Sequence, residues 1–272
     1  MSFWIRLNMF FRSFFLQAGW NFVKYQNLGF AFVMVPFLRK LYMYDPEMLP
    51  TVLSRYLDTF NTHPVMASFC FGAMAKQEES VAKAQSVTEY KEQVAEWSGA
   101  RRGLSITAAS IGDRLFWGTL KPLTLLMALF IWMLLGINFF ETPQLQPISC
   151  FEAFSAGIMA FLTYNAIALF VRWEGIKIGY ESDESSCFGL TRFDWNRTIY
   201  KAKRLGIFFS VGLILFGVYH HFGKIQVGLD FFARALLVLF FIIISFVTRR
   251  LKIPNVYLYL SAVVIFTTVC LF

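Results

Sequence analysis

The chain has 272 residues and a net charge of +8, from 25 Lys+Arg against 17 Asp+Glu. It is 57% hydrophobic and 19% aromatic, with only 15% charged residues, and its mean hydropathy is +0.54. An ordinary soluble domain carries about 45–50% apolar and about 25% charged residues, so a water-soluble enzyme and a disordered chain are both excluded. Most of the mass belongs in a bilayer, and the basic balance calls for cytoplasmic loops rich in Lys and Arg rather than for nucleic acid.

Residues 3–16 read as an amphipathic, Phe-rich helix in the plane of the membrane interface. Arg6 and Arg12 stand among aromatics without a clean apolar h-region or a small-residue cleavage site, so no cleaved signal peptide is expected. Two apolar runs come next, 28–38 and 64–75, of 11 and 12 residues. Both are too short to span a bilayer and read as re-entrant or interfacial segments. Each touches a proline, Pro36 or Pro64, and each has polar shoulders: Gln17, Asn21 and Gln26 before the first, Asn61, Thr62 and His63 before the second. Short broken segments with polar flanks point to a transporter's substrate path. A membrane-surface helical hairpin that supports a bundle is the plainer alternative.

Residues 76–102 are charged and helix-prone, and predict a cytoplasmic arm ending near Gly99, a solvated face with no chemistry. The stretch Ile111-Gly-Asp-Arg-Leu-Phe-Trp-Gly-Thr-Leu-Lys-Pro122 lies just before a long apolar run. Asp113, Trp117 and Thr119 offer an acceptor, a flat apolar face and a hydroxyl, the groups that a sugar needs. Gly112 and Gly118 permit tight turns or close backbone approach. The alternative is a capped helix start, with Asp113 as N-cap and Pro122 marking the entry into the membrane.

Five spans are predicted, near 123–140, 148–171, 205–222, 231–247 and 253–272. Their connections alternate between rich and poor in Lys and Arg, which places the rich ones and the N-terminus in the cytoplasm and Phe272 outside. Cys70, Cys150, Cys187 and Cys270 form no C-x-x-C pair, and three of them lie in or beside apolar runs. The sequence holds no phosphate-binding Gly-rich loop, no metal-ligand spacing and no nucleophile set. No cofactor, metal or catalytic residue is expected.

Together these features describe an all-α integral membrane protein. It would have about five transmembrane helices, two short re-entrant or broken segments and an N-terminal amphipathic interfacial helix. The expected organisation is residues 1–75 for the interfacial and re-entrant region, 76–103 for the arm and 104–272 for the bundle.

Three motifs resemble one family. Gln17-Ala-Gly-Trp-Asn-Phe with Gln26, Gly29, Pro36 and Arg39-Lys-Leu-Tyr42 is similar to the opening of the IID membrane subunits of mannose/fructose/sorbose-type sugar phosphotransferase systems. Arg55-Tyr-Leu-Asp-Thr-Phe-Asn-Thr-His-Pro64 matches that family's Phe-Asn-Thr-x-Pro signature, and 111–122 matches its Gly-Asp-x-x-Phe-Trp-Gly-Thr block. Tyr164-Asn165, Gly175 and Gly179-Tyr180 fit a further block. The resemblance implies a non-catalytic subunit of a bacterial inner-membrane permease. It would pair with a IIC membrane subunit, as a trimer of heterodimers in the lipid, to carry a hexose-like sugar that a IIB subunit phosphorylates after recharging by IIA. It implies no phosphorylated residue in this chain, so His63 is not a phosphohistidine. Gln17, Asn21, Asn61, Thr62, His63, Asp113, Trp117 and Thr119 are the candidates for the sugar path or the subunit interface. Ile106-Thr-Ala-Ala-Ser110 departs from the family's Gly-Pro-x-Ala-Gly, and Lys121 stands where the family has Arg. Those departures mark a divergent member and leave a structural or regulatory role without sugar transport as the alternative function.

Overall fold

A computed structural model describes residues 1–135 and 150–222. The described residues up to Ile214 form one compact unit. The expected spans 231–247 and 253–272, and the end of 123–140, lie outside the described residues. Among the described residues there is no strand, only two isolated bridges, Asn21 with Tyr25 and Tyr25 with Phe60.

Helix α1 (Phe3–Ser13) starts at Ser2, whose Oγ accepts from the Ile5 N–H at 3.4 Å. Its inner face buries Met9 and Ser13, and Phe3, Trp4 and Phe11 stay exposed. Helix α2 (Asn27–Leu41) buries Phe30, Val33, Met34, Phe37 and Leu38, a spacing of three and four residues. Pro36 lies inside α2 without ending it. Helix α3 (Met48–Tyr56) contributes Val52 and Tyr56 to the same core.

Helix α4 (Ala67–Val81) is the centre of the unit. Every residue from Ala67 to Ala75 is buried, so no polar face remains on that stretch. A helix apolar all round belongs in a core, which is why its sequence resembles a membrane segment. The first apolar run lies within the unbroken α2, while the second opens in a turn at 64–66 and continues into α4, each helix 15 residues long. At 1.5 Å per residue each reaches about 22 Å, short of the roughly 30 Å hydrocarbon layer.

Helix α5 (Val87–Gly112), a π-helix (Asp113–Leu120) and α6 (Lys121–Leu134) run on without a break. This corrects the expected end of the arm near Gly99, which has open space around it. The reason is a stripe that the charges conceal: Trp97, Arg101, Leu104, Ser105, Ala108 and Gly112 are buried, at helical spacing. In the π-helix the Thr119 hydroxyl donates to the Arg114 carbonyl at 2.7 Å, five residues back.

Helix α7 (Cys150–Glu181) packs along α4. The approach depends on Gly72 and Gly179: a Cβ on the first would run into Ile176 O and Tyr180 N, on the second into Phe69 O and Ala73 N. Arg172, just past the expected span 148–171, is a buried residue of α7. Its Nη1 donates to Ser13 O at 2.8 Å and Ser13 Oγ at 3.0 Å, closing the C-terminus of α1. Arg6 returns the contact, donating to Trp173 O at 2.9 Å and Glu174 Oε1 at 2.8 Å. After two short 3₁₀ turns, Glu184–Ser186 and Leu190–Arg192, α8 (Trp195–Phe222) begins.

Among the described residues, two stretches are long and apolar enough to cross a membrane, Val87–Leu134 and Phe154–Glu181. The second exposes Phe154, Ile158, Phe161, Leu162 and Phe170, and α8 exposes Ile207, Phe208, Val211 and Ile214. Apolar belts of that extent suit lipid and not water.

Candidate functional site

Three pieces of chain meet where the sequence motifs fall. The first is the turn before α2. Asn21 Nδ2 donates to Asn27 Oδ1 at 2.9 Å, and Asn27 Nδ2 donates to Leu57 O at 2.7 Å. The second is the extended segment 59–63. Gln26 grips Thr62 from both sides, with Nε2 donating to Thr62 O at 2.9 Å and Oε1 accepting from Thr62 N at 3.0 Å. The Thr62 hydroxyl donates to Ser105 O on α5 at 2.9 Å. Polar shoulders of the two apolar runs thus satisfy one another, as buried amides and carbonyls must.

The third piece is the π-helix. The His63 ring lies flat on Phe116, with centroids 4.9 Å apart and 14° between planes, and meets Trp117 edge-on at 6.2 Å. Gly112 makes the fit possible, since a Cβ there would strike His63 Cβ and its ring. His63 Nδ1 accepts from Val65 N at 3.3 Å, and the residue is only 4% exposed. Tyr164 of α7 closes on the far edge of Phe116 at 6.3 Å.

The eight candidates therefore fall into two groups. Asn21, Thr62, His63 and Thr119 are tied into the scaffold by the contacts above. Gln17, Asn61, Asp113 and Trp117 are exposed, Trp117 by 55%. His63 and Trp117 are in direct ring contact, and Asp113 follows Gly112, which presses on His63. Gln17 lies apart, in the turn after α1, where Trp20 N donates to its carbonyl at 3.2 Å. Asp113 is not an N-cap, because its backbone is helical and the helix passes straight through it. Gly118 makes no tight turn for the same reason. Lys121 Nζ stands 5.0 Å over the Trp117 ring, a cation–π contact that needs charge rather than a guanidinium fork.

A second polar cluster, which the sequence does not announce, braces the site from below. Glu78 of α4 is fully buried and pairs with Arg55 of α3. Its Oε1 also accepts from the Tyr42 hydroxyl and its Oε2 from the Tyr56 hydroxyl, each at 2.8 Å. Burial raises the carboxyl's pKa, against the pull of Arg55 and the two hydroxyls, and burial with the adjacent carboxylate raises both tyrosines. Arg101, equally buried, donates to Arg55 O and Asp58 Oδ2, each at 3.2 Å. In the sequence Glu78 is one charge in a solvated run, but it falls four residues after Met74 and seven after Phe71, on their face. Among the described residues no group of three His, Cys, Asp or Glu could hold a metal.

This architecture is that of a helical membrane protein. The chain superposes on a solved structure described as a membrane protein, with a TM-score of 0.62 at 22% identity, covering 98% of this chain and 96% of that one. It superposes likewise on the mannose transporter ManYZ solved in complex with microcin E492, with a TM-score of 0.53 at 22% identity and the same coverage. At such identities the likeness is one of fold.

Sequence comparison gives a more specific likeness. Residues 5–136 match the family model of the PTS system mannose/fructose/sorbose family IID component, and this region is IID-family sequence. The fructose permease IID component of Bacillus subtilis is 33% identical over 173 residues, 64% of this chain and 54% of that protein. The PTS system mannose-specific EIID component of Escherichia coli is 30% identical over 172 residues, 63% of this chain and 53% of that protein. The sorbose-specific component of Klebsiella pneumoniae is 30% identical over 174 residues, 64% and 55% of the two chains. The chain spans about half the length of the curated relatives that it matches.

Proposed function

We propose that this chain is the IID-type membrane subunit of a phosphoenolpyruvate-dependent sugar phosphotransferase permease. It pairs with a IIC subunit to carry a hexose-like sugar inward, and a IIB subunit, recharged by IIA, phosphorylates that sugar. The observation that carries this reading is the junction of segment 59–63 with the π-helix. It leaves Asn61, Asp113 and Trp117 exposed beside Gln26 and Thr62, whose polar groups bond within the scaffold. An amide, a carboxylate and a half-exposed indole suit the hydroxyls and the C–H face of a sugar, or a polar surface of the IIC partner. The distribution of Lys and Arg along the chain supports a cytoplasmic N-terminus.

The test is uptake of labelled hexoses in cells that co-express the chain with its presumed IIC, IIB and IIA partners. Asp113→Ala and Asn61→Ala each lower uptake about tenfold, the cost of one hydrogen bond to a polar ligand. Copurification with IIC in detergent separates the two roles, since loss of the complex assigns these residues to the interface. Unchanged uptake in both variants removes them from any path. The alternative, a structural or regulatory protein without transport, draws on Ile106–Ser110. That stretch is plain helix inside α5, with Ile106 70% exposed. It predicts a stable IIC complex with no uptake.

A further inference from the structure

We propose that the groove between the turn after α1 and the outer face of α2 binds an anionic phospholipid. One acyl chain lies in the groove and the phosphodiester sits at Arg12. The groove has a volume of about 370 Å³ and is lined by Phe15, Ala18, Gly19, Leu28, Gly29 and Phe32. Its walls are aromatic and aliphatic, and Gly19 and Gly29 let the turn and α2 pack closely beneath it, since a Cβ on either would strike Leu28 Cβ or Leu16 O. A single flexible hydrocarbon chain fits the groove.

Charge at the rim selects the headgroup. The Arg12 guanidinium lies 4.5 Å over the ring of Phe32, itself a wall of the groove. Nη1 donates to Phe32 O at 3.0 Å and Nε to Asn8 Oδ1 at 2.8 Å, both neutral acceptors. Among the described residues no carboxylate stands within ion-pair distance of it, unlike Arg6, Arg55 and Arg101. A guanidinium held in place with its charge uncompensated suits a phosphodiester oxygen. Phe11, Phe14, Trp20 and Phe22, on the same stretch of chain, are exposed, a composition that suits a membrane interface. This site is separate from the junction at His63 and stands whether or not that junction handles sugar.

The experiment is native mass spectrometry of the full chain in dodecyl maltoside. The chain is titrated with dioleoyl phosphatidylglycerol, dioleoyl phosphatidylcholine, oleate and inorganic phosphate. The parent chain binds phosphatidylglycerol most tightly and inorganic phosphate not at all. Ala18→Phe fills the groove and weakens both phospholipids about tenfold or more. Arg12→Gln keeps a donor for Phe32 O but loses the charge, and removes the preference for phosphatidylglycerol, a factor of roughly ten. Circular dichroism and melting confirm that the variants fold, and Ala18→Leu, a smaller filling, gives an intermediate loss. Lipid binding indifferent to both sites overturns the proposal. So does a groove whose filling releases a second protein chain while lipid adducts stay unchanged.

Discussion

Arg12 does what Pro36 cannot. A helix residue at position 36 would donate its N–H to the carbonyl four residues back, on Phe32, but proline has none. The Arg12 Nη1 donates to that carbonyl instead, at 3.0 Å, from the neighbouring helix α1. This is how α2 carries a proline without breaking, and it docks α1 in the same act. Arg12→Ala therefore costs about 1–3 kcal/mol, the penalty of an orphaned carbonyl. In a Pro36→Ala background the same substitution costs measurably less, because an alanine at that position supplies the N–H. Melting temperatures of the four members of this cycle in one detergent give the coupling. Equal costs in both backgrounds would refute the link.

The seam between α4 and α7 is set by backbone contact at Gly72 and Gly179. Gly179→Ala forces the helices apart and destabilises the fold by about 1–3 kcal/mol, with Gly179→Val worse. Size-exclusion profiles and melting curves in detergent read this directly. By contrast Gly99→Ala, with open space around it and an ordinary helical backbone, stabilises α5 by up to about 1 kcal/mol.

Glu78 is buried with its charge balanced by Arg55 and its oxygens held by Tyr42 and Tyr56. Glu78→Ala leaves Arg55 unpaired and costs about 3–5 kcal/mol. Adding Arg55→Met to it recovers part of the loss, since removing both members of a buried pair is cheaper than removing one. Denaturant titration of the single and double variants decides it, and additive losses would contradict the pairing.

His63 offers no nucleophile to a phosphocarrier. It is stacked on Phe116, backed by Gly112 and almost entirely enclosed. Incubation with labelled phosphoenolpyruvate, the general carriers and the proposed IIA and IIB partners labels those proteins and leaves this chain unlabelled. A label on His63 would overturn the proposed role.

Composition and the spacing of apolar residues were enough to announce a helical membrane protein, and the motifs within residues 5–136 announced the likeness to IID components. Both are properties of chain segments: apolar content sets the solvent, and a local pattern sets the helix. The extent of α5 was not legible, because Trp97, Arg101 and Leu104 are spaced as a buried stripe inside a run whose charges dominate any average. Whether Glu78 and Arg172 face solvent or the interior was equally hidden. Their partners Arg55 and Ser13 lie 23 and 159 residues away in the sequence. The motif residues themselves show the same division. Their presence in order along the chain carried the family resemblance, but only folding separated Thr62 and His63, consumed by the scaffold, from Asn61, Asp113 and Trp117, left open. A polar side chain becomes available to a ligand only after the fold has claimed its own hydrogen bonds, and that allocation exists in three dimensions alone.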